Sequence, residues 1–404
     1  MKVAVQVWID GHVFRPLTYI FNIITRIVGQ IARLDHDLTK NFDRIVICKF
    51  KGMGSIVQTI PLLSALRERY PDATILFVTT EANKTLLQHI PEVNRIITIK
   101  DTSPVFIVLS LVSAWWSLIR FRPQVYLDLE LYSYLSSLFT LFSLAKNRIG
   151  FYTRGDQSKM GIYTHMMFFN TNVAVSKVYQ QLAFLMGGAE KHFPVTLKLP
   201  AKSERTSEKY IVINPNASDL RLERRWPAEN YRKLIAELAE KYPLFQIKII
   251  GSKDEKDYVD KLWPKNEYLN VENLAGKTTF NGLLQLIAEA KLMITNDTGP
   301  MHLAFGLQTP VICFFGPCSP VHYGMEGKNI KTFYQPVYCS PCVHEFLTPP
   351  CKGKNVCMQN ILYSEVFESA HHFLQNGYFE EEKQHVGNMT YKSTDLTLGV
   401  IKRS

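Results

Sequence analysis

Two series of short apolar runs, each run followed by a stretch of helical periodicity, leave this chain few folds to choose from. The first series starts at Arg44. RIVICKF (44–50) has strand length and ends in a glycine-bearing turn, KGMGS, after which Leu62, Leu63 and Leu66 lie in a helical stretch that closes at Tyr70-Pro71. TILFVTT (74–80), RIITI (95–99) and VYLDLEL (125–131) follow as further strands. The second series runs through YIVINPN (210–216), a helix over 227–242, FQIKIIG (245–251), a helix over 280–290, KLMITND (291–297), the helix PMHLAFGL (300–307) and the strand TPVICFFGP (309–317). Strands alternating with helices indicate a parallel sheet covered on both faces. Between the series, AKSERTSEK (201–209) is polar and without apolar period, and reads as a linker. The expected fold is α/β, with two facing Rossmann-like domains and a ligand cleft near the carboxyl ends of the strands. The chain has 404 residues, 46% of them hydrophobic, which suffices for two cores.

The expected boundaries are an amphipathic segment (1–40), a first domain (41–200), the linker (201–209), a second domain (210–378) and a polar tail (379–404). In the first segment Leu17, Ile20, Ile24, Ile27, Ile31 and Leu34 recur at helical spacing, with Arg15, Arg26 and Arg33 on or beside the stripe. Such a helix either lies on a membrane surface or packs on the protein. The arginines, and the lack of a small-residue cleavage site, argue against a secretory signal. The window from Thr102 to Ile119 carries no charge and contains Trp115 and Trp116. It lies between two strands and reads as a crossover helix, with a partly lipid-facing helix as the alternative. The net charge of +10 favours anionic partners: a membrane surface, phosphorylated glycans or nucleotides. No nucleic-acid module is recognisable and the basic residues are dispersed, so nucleic acid is not expected as a partner.

The strongest candidate site is ITNDTGPMHLAFGLQTPVICFFGP (294–317). A strand ends at Thr295-Asn296, Asp297-Thr298-Gly299 turns, and Pro300 opens a helix as its first residue. The helix start around Thr298 to His302 offers backbone donors to a diphosphate. His302 either donates to phosphate or packs under the loop. NASDLRLERRWP (216–227) concentrates Asn216, Ser218, Arg221, Arg224 and Arg225 in one loop, and arginine pairs bidentately with phosphate. In the first series Lys51, Gly52, Met53, Gly54 and Ser55 form a turn that would face the acceptor side of the cleft. Asp128 and Glu130 share one face of a strand end, where either could serve as a general base. Four of the seven cysteines follow the pattern Cys339-x2-Cys342-x8-Cys351-x5-Cys357. A structural metal, a disulfide pair and reduced loop thiols all remain open for them.

GMGSIVQTIPLLSALRERYPDA (52–73), NRIGF (147–151), RRWPAENYRKLIAEL (224–238) and NDTGPMHLAFGLQTPVICFFGPCSP (296–320) together resemble glycosyltransferase family 9, the heptosyltransferases. The resemblance covers roughly 44–375. It implies a GT-B fold, with ADP-heptose as the nucleotide-sugar donor in the second domain and a lipopolysaccharide core or related glycan in the first. It also implies inversion in one displacement with no metal or other cofactor required, on the cytoplasmic face of the inner membrane. Thr298, Gly299 and nearby backbone would hold the diphosphate, Arg224 stands where a phosphate-contacting lysine is frequent, and Glu255 stands where an acidic residue can bind the ribose. The glycine turn of many members reads MGD, and that aspartate is their proposed base; here it reads Met53-Gly54-Ser55. Serine cannot accept a proton at neutral pH without a base of its own. Either the base has moved, to Asp128 or Glu130, or the chain binds nucleotide sugar or glycan without turnover.

Overall fold

A computed structural model of the chain describes residues 8–32, 34–100, 103–153, 158–199, 209–217, 221–264, 268–343, 346, 349–380 and 401–402. Contacts divide the chain into two compact units, one spanning 1–171, 175–194 and 388–404, the other 172–174 and 195–387. The chain therefore passes from the first unit to the second near Pro194. Apart from Lys209, the expected linker lies outside the described residues.

The first unit carries a parallel sheet of β1 (Arg44–Cys48), β2 (Thr74–Thr80), β3 (Arg95–Ile99), β4 (Val125–Asp128), β5 (Asn147–Tyr152) and β6 (His165–Phe168) in the order β6-β5-β4-β1-β2-β3. The central strands β1 and β4 are almost wholly buried, which is why they read as unbroken apolar runs. Its main helices are α1 (Arg15–Ala32), α2 (Met53–Val57), α3 (Ile60–Arg69), α4 (Pro104–Phe121), α5 (Tyr134–Phe142) and α6 (Val175–Leu185). The apolar window with Trp115 and Trp116 is α4, the crossover from β3 to β4. No helix among the described residues is long and apolar enough to cross a membrane.

The second unit repeats the plan with β7 (Tyr210–Asn214), β8 (Gln246–Ile249), β9 (Val271–Asn273), β10 (Leu292–Asn296), β11 (Val311–Phe315) and β12 (Ile330–Tyr334), all parallel, in the order β12-β11-β10-β7-β8-β9. Its main helices are α7 (Ala228–Lys241), α8 (Lys256–Leu262), α9 (Phe280–Ala288), α10 (Gly299–Leu307) and α11 (Tyr363–Asn376). Trp226 is fully buried and packs edge-on against Tyr231 at 5.1 Å and, with the rings tilted, against Phe314 at 4.7 Å. Of the expected polar tail, 381–400 and 403–404 lie outside the described residues, while β13 (Ile401–Lys402) pairs antiparallel with β6.

In both sheets the strand order reverses beside the first strand, between β1 and β4 and between β7 and β10. Open α/β sheets bind ligands at the carboxyl ends of the strands at such a reversal. The glycine turn, Asp128 and Glu130, the arginine loop and the α10 start all lie at these four strand ends, while Glu255 and the cysteine loop do not.

The N-terminal helix departs from an ordinary surface helix. Its small polar residues Thr18 and Asn22 are the buried ones, and its apolar stripe is exposed. The helix does pack on the protein, as one of the two sequence alternatives had it, but through this polar side and not through the apolar stripe. Asn22 Oδ1 accepts from Gly161 N, and a Cβ on Gly161 would collide with the Asn22 carbonyl and side chain. Just upstream, the Asp10 carboxylate accepts from the backbone of Tyr134 (2.9 Å) and Leu135 (2.9 Å), placing negative charge at the start of α5.

Candidate active site

In the first unit, the ends of β1 and β4 are tied by one carboxylate. Glu130 Oε1 accepts from Phe50 N (2.7 Å) and Lys51 N (3.2 Å), and Oε2 pairs with Lys49 Nζ at 3.0 Å. Burial works against the Lys49 charge, but Glu130 outweighs it and holds the ammonium above its ordinary pKa. Exposed Lys51 follows. Gly52, at φ +91°, turns the chain into α2 through a conformation that L side chains rarely adopt. Met53, Gly54 and Ser55 form the first turn of α2, with Ser55 half-buried. Glu130 thus holds the glycine turn by its backbone and retains a side chain 13% exposed.

Asp128 has a different role. It is fully buried and accepts from Tyr163 Oη (2.7 Å), Thr140 Oγ1 (3.2 Å) and Glu130 N (3.0 Å). Burial raises its pKa, with Lys159 and the Tyr163 hydrogen bond pulling the other way. A carboxyl sealed from solvent cannot reach an acceptor hydroxyl, so Asp128 is withdrawn as a base and stands as a core hydrogen-bond hub. The sequence reading also passed over Asp35-His36-Asp37, which has the spacing of a metal-binding DxD. Those carboxylates build a turn instead: Asp35 accepts from Asp37 N (3.0 Å) and pairs with Lys40, and Asp37 accepts from Thr39 N (2.9 Å).

In the second unit, asparagines knit the reversal together. Asn214 Nδ2 donates to Thr295 Oγ1 (3.0 Å) and Thr298 Oγ1 (2.9 Å), Asn216 Nδ2 donates to the Ile250 carbonyl (2.8 Å), and Asn296 Nδ2 donates to the Asn216 carbonyl (2.9 Å). Asn296 Oδ1 accepts from the Trp226 backbone N (2.9 Å), which ties the arginine loop to the end of β10, while the buried indole Nε1 donates to the Ile361 carbonyl at 3.0 Å. Arg224 Nη1 lies 3.7 Å from Asp297 Oδ2 and 3.4 Å from the Asp297 carbonyl. Arg224 Nε and Asn216 Oδ1 are buried without a hydrogen-bond partner among the described residues. Thr298 caps α10, so Gly299 is its first residue and Pro300, placed first by sequence, is its second. Arg225 lies over the Tyr258 ring at 3.9 Å, and Arg221 Nη2 donates to the Val343 carbonyl at 2.9 Å. Ser218 lies outside the described residues.

His302 Nε2 stands 3.8 Å from Asp297 Oδ1, within ion-pair range. Burial nevertheless pushes its pKa down to about 4, against the pull of Asp297, so the imidazole is neutral at pH 7 and the contact is not an ion pair there. Glu255 sits outside the reversal, in the turn after β8, where its Oε2 accepts from Ser252 N (2.8 Å). Cys339, Cys342, Cys351 and Cys357 are all free thiols and line one cavity of about 140 Å³ together with Glu223 and Asn355. Burial, then neighbouring Cys339, pushes the Cys342 pKa up to about 11. Among the described residues no three His, Cys, Asp or Glu side chains are grouped to hold a metal ion.

Sequence reasoning missed Lys49 as a partner of Glu130, and Asn214, Asn296 and Trp226 as struts. The available signal was a lysine closing an apolar run, and asparagines at two strand ends.

The sequence matches glycosyltransferase family 9 (heptosyltransferase) over residues 133–351, more than half of the chain. The chain belongs to glycosyltransferase family 9. It is a glycosyltransferase of the heptosyltransferase family, and its two Rossmann-like units make the GT-B fold. Lipooligosaccharide heptosyltransferase 2 of Campylobacter jejuni is 26% identical over 338 residues, 81% of this chain and 97% of that protein. Lipopolysaccharide heptosyltransferase 3 of Escherichia coli is 25% identical over 308 residues, 72% of this chain and 88% of that protein. The structure of E. coli ADP-heptose lps heptosyltransferase II superposes with a TM-score of 0.67 at 21% identity, covering 83% of this chain and 99% of that one.

Proposed function

We propose that this family 9 enzyme transfers heptose from ADP-heptose to a lipopolysaccharide core or related glycan, with inversion, at the cytoplasmic face of the inner membrane. The observation that carries the donor half is the β7/β10 reversal, where Arg224, Thr298 and the α10 start converge and where Arg224 Nε and Asn216 Oδ1 are buried without a hydrogen-bond partner among the described residues. Arg224 and the α10 start would take the diphosphate, Asp297 would hold Arg224, and Glu255 would take the ribose. Neutral His302 would support the loop from below. The names of the relatives supply the sugar and the acceptor class. The second domain (210–378) is read as the donor domain and the first (41–200) as the acceptor domain, with the turn from Lys51 to Gly54 on the acceptor side. No resident metal or cofactor is invoked.

For the acceptor proton, Glu130 is preferred over Asp128 because it alone keeps an edge to solvent, with Ser55, in the helix turn that follows the glycine turn Glu130 holds, as a hydroxyl that orients rather than deprotonates. The same geometry favours a second reading, a nucleotide-sugar-binding protein without turnover. Ser55 replaces the expected aspartate, and both oxygens of Glu130 already have partners.

Purified protein with ADP-heptose, other nucleotide sugars and truncated lipopolysaccharides separates the two. Transfer that falls by about 10²-fold or more in Glu130→Gln, with donor affinity retained, supports the enzyme and its base. Arg224→Ala should weaken donor binding in either case. Binding of donor with no transfer to any acceptor supports the second reading, and failure to bind any nucleotide sugar refutes both.

A further inference from the structure

The first unit presents apolar side chains to solvent on two helices whose polar or sheet-facing sides are already used. On α1 the small polar stripe of Thr18 and Asn22 faces the protein, and Ile20, Ile23, Ile24, Ile27, Val28 and Ile31 are exposed. On α4 the sheet takes Ala114, Leu118 and Phe121, while Val105, Phe106, Val108, Leu109, Val112 and Trp116 stand more than half exposed. Helices of water-soluble proteins bury such stripes.

The two faces meet. The Phe142 ring, at the end of α5, packs edge-on against Phe21 of α1 at 5.0 Å, and its carbonyl accepts from Trp115 Nε1 of α4 at 2.9 Å. Ala114 and Leu118 of α4 share one core cluster with Phe139 of α5, so both helices cover the same face of the sheet. Phe142 and, two residues on, Leu144 are themselves exposed.

Charge selects the occupant. Neither α1 nor α4 contains an acidic residue, and exposed Arg15, Arg26, Arg120, Arg122 and Lys146 flank the apolar surface. Of the acids just outside α1, Asp10 is engaged at the start of α5 and Asp35 pairs with Lys40. A second copy on this face would set like charges together. An anionic bilayer complements both the charge and the apolar surface, and the tryptophan, with Arg120 over the Trp116 ring at 5.2 Å, suits the headgroup boundary. The helices do not cross, since none is long and apolar enough.

We propose that α1, the end of α5 and α4 form one docking surface that lies in the interface of a bilayer containing anionic phospholipid. This deepens the membrane-surface reading made above and is independent of the sugar moved. The test therefore contains neither donor nor acceptor, and its failure leaves the transfer reading intact.

Full-length protein is sedimented with vesicles of phosphatidylcholine, with and without phosphatidylglycerol. Binding is expected mainly with phosphatidylglycerol and should weaken with salt, each basic residue near the surface strengthening it by roughly fivefold. Val108→Glu/Val112→Glu on α4 and Ile20→Glu/Ile27→Glu on α1 should each reduce the bound fraction by about tenfold or more. All four positions are exposed, and circular dichroism of the free variants verifies folding. Emission of the wild type should shift to the blue on vesicle binding, and Trp116→Phe should diminish that shift. Vesicle binding indifferent to the α4 pair overturns the composite surface. A stable dimer that is dissolved by the α4 pair, with no vesicle binding, assigns the face to a second copy and overturns the proposal.

Discussion

Burial separates residues that the sequence places side by side. Asp128 and Glu130 are two apart, yet the first lies among Tyr163, Thr140 and a backbone amide in the core, and the second reaches the glycine turn through Phe50 N, Lys51 N and Lys49. The same principle acts on His302. Its folded pKa is pushed down to about 4 from an unfolded value near 6.5. Between those values the unfolded chain binds the extra proton, so stability is lost as pH falls through the unfolded value, and the loss levels off below the folded one. At pH 5 this group alone should remove about 2 kcal/mol relative to pH 7. Urea midpoints of wild type and His302→Gln at the two pH values measure it: the wild type should show the larger drop, and equal drops would mean His302 is protonated in the fold.

At the scale of elements, α1 is held to its unit through polar and aromatic contacts: Asn22 on Gly161, Phe21 on Phe142 and Arg15 over the Tyr134 ring. Gly161 is one of them because its bare Cα lets Asn22 approach. Gly161→Ala should loosen α1 while leaving both sheets folded. Limited proteolysis would then cut before residue 40 faster than in the wild type, and unchanged cutting would show that Asp10 suffices to hold the segment. This docking was invisible in the sequence, since periodicity reports a stripe but not which side of it meets protein. The central strands were legible because burial on both faces leaves unbroken apolar runs, as in RIVIC and VICFF. β9 and β6, with three and four residues, are too short and too mixed to stand out. Of the site, the glycine turn, the arginine loop and the α10 start were legible because turn and cap chemistry is local. The Lys49–Glu130 pair was not, because it depends on β1 and β4 being neighbours across about 80 residues of chain.

For the whole molecule, two units with separate sheets distribute the tryptophans unevenly. Trp226 and Trp263 are buried in the core of the second unit, while Trp8, Trp115 and Trp116 are exposed in the first. If ADP binds at the β7/β10 reversal, it should stabilise the second unit by about 2.7 kcal/mol at a hundredfold excess over its Kd. Thermal unfolding followed by the blue-emitting, buried tryptophans should move to higher temperature with ADP. An unmoved midpoint would count against nucleotide binding in that unit.

The outward stripe of α1 also has a history within each molecule's lifetime. Residues 8–32 leave the ribosome before Tyr134 and Gly161, the residues that later hold them, have been made. The stripe is bare while the chain is nascent, and it is still bare once folding is complete. Most apolar helices are aggregation hazards only until their core closes over them. Here folding brings no such relief, so avoiding self-association is a demand on this protein from synthesis until the stripe is docked on the bilayer proposed above.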